Sequence, residues 1–288
     1  MRKVNNLERL GAVTSFARMF RRRSVSLQRK VVWATVPPYH RPHVFVGRFR
    51  LEPGACVVAD RDHPLFARVR RDLAAALVSP QGLLAELETY RGEASELPVE
   101  HDPQGQLQDR TVTAREDRER IVFRPPFTRF LYFLARDLRP EHVLECGTGY
   151  GESSLHILAA LEHANHGHLH TVELDPTRRR LALQAVDRFF PDTQRLTSVG
   201  GSFSDVLPEL LESVGPLDLV FEDGPHTPEV TLDVFNRLVD AVRRGGVLIF
   251  DDVQHEKGNN RAWSEIRSDP RVAASLEINA RLGVCVRA

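Results

Sequence analysis

Residues 143–154 read Val-Leu-Glu-Cys-Gly-Thr-Gly-Tyr-Gly-Glu-Ser-Ser. An apolar pair ends in an acid, Glu145, and three glycines follow on alternate residues before a helical pattern begins. Alternate glycines let a backbone turn tightly off a strand and approach a ligand closely. Gly147, Gly149 and Gly151 are spaced G-x-G-x-G, not in the G-x-G-x-x-G of the dinucleotide fingerprint. The helix expected from about Glu152 aims free N–H groups back at whatever the turn holds, which favours an anionic group there.

Outward from this turn, helix and strand alternate strictly from about Phe123. Strands are predicted at His142–Glu145, His168–Glu173, Arg195–Val199, Leu217–Glu222 and Val247–Asp251. The helices expected around them are Pro126–Asp137, Glu152–His163, Thr177–Phe190, Asp205–Val214, Pro228–Arg244 and Arg261–Arg267. Short apolar strands alternating with helices imply a parallel sheet covered on both faces. Two closing strands, Leu276–Asn279 and Val284–Arg287, lie too close together for a crossover helix, so they pair antiparallel or lie apart.

Residues 1–120 are expected to form an α+β extension and residues 121–288 the catalytic domain. In the extension, Leu7, Leu10, Val13, Phe16 and Phe20 line one face of an arginine-rich helix. That helix would pack on the main domain, meet a membrane surface or anionic partner, or serve as a targeting segment. His43–Phe49 and Ala55–Ala59 read as a hairpin. Pro64–Val78 and Pro80–Tyr90 read as helices with proline at each start, and residues 92–118 as a polar connection.

Ligands of open α/β sheets sit outside the carboxyl ends of the strands, and polar residues collect there. After Glu145 and the glycine turn, the second end reads His-Thr-Val-Glu173-Leu174-Asp175, an acid suited to accept two ribose hydroxyls. The third is followed by Gly-Ser202-Phe203-Ser-Asp-Val-Leu-Pro-Glu-Leu, the fourth ends in Glu-Asp223-Gly-Pro-His226, and the fifth in Asp251-Asp252. Three carboxylates at adjacent strand ends repel one another unless a cation lies among them. Hard oxygen ligands without a nearby cysteine point to magnesium, manganese or calcium rather than zinc.

Over about residues 120–288 the chain resembles the class I S-adenosylmethionine-dependent methyltransferases, specifically the catechol/macrocin O-methyltransferase-like branch. The resemblance implies a Rossmann-like doubly wound sheet, mostly parallel with an antiparallel final strand. It implies cofactor contacts from Glu145, Gly147, Gly149, Gly151 and Ser153, from Glu173 at the ribose, from Leu174 beside it, from Ser202 and Phe203 at the adenine, and from Asp223. Asp223, Asp251 and Asp252 match the family's metal ligands, for Mg2+ or Mn2+. His226 stands where the catechol enzymes carry a lysine, Pro225 where the macrocin type carries an aspartate, and Arg281-Leu282-Gly283 lacks the carboxylate that grips a second phenol hydroxyl. The expectation is metal-assisted O-methylation of a small hydroxylated molecule, with Asp223 holding the ion and His226, of ordinary pKa near 6.5, as base. His255 is a second candidate for that role.

Composition narrows the alternatives. No apolar run reaches the ~18–20 residues of a membrane span, and three scattered cysteines suit a reducing compartment such as the cytoplasm. The formal net charge of zero hides +11 in residues 1–50 and −11 in the remainder. A basic arm admits a nucleic-acid methyltransferase, although the acidic catalytic half and the absence of an Asn-Pro-Pro-Tyr-like motif argue against one. A metal-independent O- or N-methyltransferase, with Asp251 and Asp252 merely orienting the substrate, is the nearer rival. A non-catalytic cofactor-binding module is the third.

Overall fold

The computed structural model describes residues 57–59, 63–90, 98–99, 113–121, 125–254 and 259–288. The basic arm, the first half of the expected hairpin and His255 lie outside the described residues. In chain order the elements are β1 (Val57–Ala59), α1 (Pro64–Ala76), α2 (Leu83–Thr89), α3 (Ala114–Ile121), α4 (Phe127–Leu138) and β2 (His142–Cys146). Then come α5 (Glu152–Ala164), β3 (His168–Glu173), α6 (Pro176–Phe189), β4 (Leu196–Gly200), α7 (Phe203–Val214) and β5 (Leu217–Glu222). The chain closes with α8 (Pro228–Leu238), β6 (Val242–Phe250), α9 (Asn259–Ile266), β7 (Val272–Ile278) and β8 (Leu282–Arg287).

The strands form one sheet in the order β1-β7-β8-β6-β5-β2-β3-β4. Strands β6, β5, β2, β3 and β4 pair in parallel, while β8 runs antiparallel to both its neighbours. This is a Rossmann-like doubly wound sheet, mostly parallel with an antiparallel final strand, and its order reverses between β2 and β5. Strand β5 is buried at every position, as a central parallel strand covered on both faces must be. On one face α4 presents Phe127, Phe130, Leu131 and Leu134 at helical spacing, all fully buried, and packs on α1 and α5. On the other, Leu207, Leu210, Val234, Phe235, Trp263 and Ile266 from α7, α8 and α9 close a second apolar layer.

Three boundaries depart from expectation. Strand β1 pairs with β7 at the sheet edge, Val57 opposite Ile278. Residues 114–118, predicted to be connection, are the first turns of α3. Helix α8 ends at Leu238, and β6 begins at Val242 rather than Val247. Val242 pairs with Leu217, an irregularity at Arg243–Gly246 follows, and pairing resumes at Val247 opposite Leu219. Gly245, at φ 76°, supplies the left-handed turn.

Candidate active site

Backbone bonds stitch the carboxyl ends of the strands into one rim. Gly147 N donates to Val172 O, Gly201 N to Glu173 O, Asp223 N to Cys146 O and Asp251 N to Glu222 O, all at 2.9–3.0 Å. The loop after β5 crosses the glycine turn so closely that a Cβ on Gly147 (φ 98°) would lie 2.4 Å from Asp223 O. Only glycine fits there. A Cβ on Gly149 would meet nothing nearer than Ile121 at 3.9 Å, which leaves an open cradle over the turn. Gly151 caps α5 in the left-handed conformation, with no side chain bonded to the helix N-terminus.

Several of the residues expected at the cofactor lie near this turn. Glu173 is buried and accepts from Gly149 N at 2.8 Å and Asp175 N at 2.9 Å. Burial raises its pKa, and those two bonds and Arg178 oppose the rise. Each of its oxygens still has a lone pair for a hydroxyl. Leu174 beside it is exposed. Ser202 caps α7, bonded to Ser204 and Asp205, and Phe203 packs beside Gly224. Glu145 is fully buried, accepts from Thr171 at 2.8 Å and from Ser154, and is pushed up to about 7 by burial. Ser153 is buried in the first turn of α5.

Sequence reasoning missed how tightly α3 grips this turn. Asp117 is buried, accepts from Tyr150 Oη at 2.7 Å and binds Arg178 through Nε at 2.8 Å and Nη2 at 3.1 Å. Arg118 pairs with Glu152 at 2.6 Å. The helix reads Ala-Arg-Glu-Asp-Arg-Glu-Arg-Ile, with no apolar stripe to announce it.

The acidic rim differs most from expectation. Asp223, His226 and Asp251 each present a ligand atom within 4.8 Å of the others. Both oxygens of Asp251, however, accept from Arg281, Nε to Oδ1 and Nη2 to Oδ2, each at 2.7 Å. Arg281 Nε also lies 3.8 Å from Asp252, the guanidinium sits 4.9 Å over the Phe127 ring, and the side chain is buried. The chain thus supplies its own cation among these carboxylates. A divalent ion on Asp251 would share that carboxylate with a guanidinium, so the donor set does not fit the expected Mg2+ or Mn2+ site.

His226 also departs from its ordinary pKa. Burial pulls the value down, but the Asp223 hydrogen bond and the charges of Asp252, Asp223 and Asp251 carry it up to about 10. The Nε2–Oδ1 distance to Asp223 is 3.4 Å, and that carboxylate favours the charged imidazole. Burial pushes the Asp251 carboxyl up, and the two-point fork with Arg281 opposes that rise. Glu222, beneath the same loop, is lifted by burial to about 7.

A sheet that reverses at a glycine turn, with an acid at the next strand end, defines a nucleotide-type cofactor site. A family model described as a methyltransferase domain matches residues 144–253. A protein of Mycobacterium sp. (strain KMS), named as belonging to the O-methyltransferases, is 30% identical over 193 residues, 65% of this chain and 83% of that one. Among solved structures, an O-methyltransferase from Bacillus cereus in complex with S-adenosylhomocysteine superposes with a TM-score of 0.53 at 22% identity. The match covers 60% of this chain and 86% of that one. The O-methyltransferase TomG from Streptomyces achromogenes, involved in tomaymycin synthesis and solved with S-adenosylmethionine, gives 0.55 at 18% identity over 79% and 100% of the chains. The chain belongs to the class I S-adenosylmethionine-dependent O-methyltransferases. Among the described residues, no helix is long and apolar enough to cross a membrane.

Proposed function

We propose that this enzyme methylates a hydroxyl oxygen of a small molecule, with Asp223 and His226 managing the proton. The observation that carries this reading is the Asp223–His226 pair on the loop after β5, His226 buried and Asp223 partly exposed, where Asp223 crosses the glycine turn. When bound, S-adenosylmethionine supplies an electrophilic methyl group on a cationic sulfur. Glu173 accepts the ribose hydroxyls, and the open N-terminus of α5 faces the methionine carboxylate. Leu174, Ser202 and Phe203 border the adenine. Gly147, Gly149 and Gly151 keep the turn thin, Glu145 with Ser154 and Thr171 braces it from below, and Ser153 lies at the start of α5 beside the methionine end.

The carboxylates around His226 favour its charged form, and a positive charge bound beside it would offset them and bring the imidazole toward neutrality. His226 would then take the proton of the acceptor hydroxyl. Asp223 holds the ring in place throughout. The expected ion at Asp223, Asp251 and Asp252 has no part in this reading, because Arg281 already holds both oxygens of Asp251.

A small acceptor suits the charge distribution, since residues 51–288 carry a net −11 that would repel a polyphosphate. The test is to incubate the enzyme with methyl-labelled S-adenosylmethionine and a panel of phenols, hydroxylated macrocycles, amines, RNA and DNA. Label on a hydroxyl oxygen supports the proposal. Label on an amine or on nucleic acid overturns it.

A further inference from the structure

We propose that Arg281 is a built-in cation that takes the place of a divalent ion in the acidic rim, so that this enzyme binds no metal there. The inference rests on the assignment of that rim to the reacting end of the site. Its basis is how firmly the guanidinium is placed. Arg281 leaves the β7–β8 turn directly after Asn279 and Ala280, both in the left-handed region at φ 53° and 55°. Its backbone N donates to Ile278 O and its carbonyl accepts from Val253 N, each at 2.9 Å. The side chain therefore reaches back from the last hairpin to the end of β6. There the Nε and Nη2 donors meet the two Asp251 oxygens in the parallel fork geometry that only arginine provides.

The ring of Phe127, itself fully buried, lies under the guanidinium and closes the direction in which it could swing away. Charge completes the argument. Asp223, Asp251 and Asp252 bring three carboxyl groups to adjacent strand ends, and the Arg281 guanidinium sets a fixed positive charge on one of them and 3.8 Å from another. A divalent ion using Asp251 would meet a fixed positive charge on the same carboxylate and would have to displace a fork held at both ends. Arg281 acts on the reaction as a positioning residue. It fixes Asp251 at the end of β6 and sets its charge 3.8 Å from Asp252.

The experiment measures Mn2+ binding by the paramagnetic resonance of the free ion, on the full chain with S-adenosylmethionine present. The wild type is expected to leave Mn2+ free up to about 1 mM. Arg281→Met removes the charge while keeping much of the bulk, and at least tenfold tighter Mn2+ binding is expected from it. Arg281→Lys keeps the charge but loses the two-point fork and is expected to bind Mn2+ more weakly than Arg281→Met and no more weakly than the wild type. Stoichiometric Mn2+ binding by the wild type at micromolar concentration overturns the proposal, as does equal Mn2+ binding by wild type and Arg281→Met. If Arg281→Met does not fold, the wild-type and Arg281→Lys measurements decide alone. S-adenosylmethionine affinity is read on the same samples by calorimetry. A wild type that binds neither ion nor cofactor contradicts the functional reading of the rim, whereas one that binds cofactor tightly and Mn2+ as well contradicts only the role of Arg281.

Discussion

Replacing Asp117 by alanine should cost more than any exposed ion pair in the molecule. Asp117 and Arg178 are both buried, and three bonds of 2.7–3.1 Å converge on the carboxylate, two from Arg178 and one from Tyr150 Oη. Removing the acid strands a buried guanidinium, a change that typically costs about 3–5 kcal/mol. The charge of nearby Glu173 gives Arg178 partial compensation, which places the expectation toward the lower end of that range. The same compensation draws Glu173 away from its work, and Tyr150 in the glycine turn loses its anchor, so cofactor affinity should fall as well. Urea unfolding followed by circular dichroism gives the stability, and calorimetric titration gives the affinity. Asp117→Ala combined with Arg178→Met should recover at least half of the lost stability, because no charge is then left unpaired. A single mutant within about 1 kcal/mol of wild type, with unchanged affinity, would refute the claim that α3 clamps the cofactor turn.

Three further outcomes follow from the site. Glu173→Ala should weaken S-adenosylmethionine binding by about 1–3 kcal/mol in the same titration, since a carboxylate accepting two hydroxyls is lost; unchanged affinity would remove Glu173 from the ribose. His226→Gln should lower kcat about 10²–10⁴-fold toward the acceptor found in the panel while sparing cofactor affinity; near-normal turnover would transfer the proton step to the carboxylates alone. Folded Glu222 and Glu145, near 7, hold protons that the unfolded chain releases near 4.5, so stability should fall as pH rises between those values. Glu222→Gln should flatten that slope in urea titrations and add up to about 3 kcal/mol above pH 8; a slope unchanged by the substitution would show that Glu222 does not titrate as described.

The sheet was legible because its central strands are short unbroken apolar runs, each ending in a polar residue, and burial on two faces leaves no other pattern. The glycine turn, Glu173 and the acid pair at β6 were legible because each lies within a few residues of such a strand end. Helix α3 was hidden for the opposite reason. Its cohesion comes from ion pairs to Arg178 and Glu152, residues dozens of positions away, and eight mostly charged residues show no helical apolar face. Arg281 was hidden by distance as well. It enters the rim from a hairpin thirty residues beyond Asp251, and reading each strand end by its own neighbours leaves its charge out. The same omission gave His226 an ordinary pKa, since three carboxylates reach it from two different strand ends.

Calorimetric titration of the wild-type chain with S-adenosylmethionine in chelator-treated buffer tests the central claim most directly. That claim is a complete cofactor site at the β2–α5 turn beside a rim whose cation is Arg281. The account predicts one binding site per chain, with the same affinity after magnesium or manganese is restored. No measurable heat, or binding that appears only once the metal is returned, would contradict it.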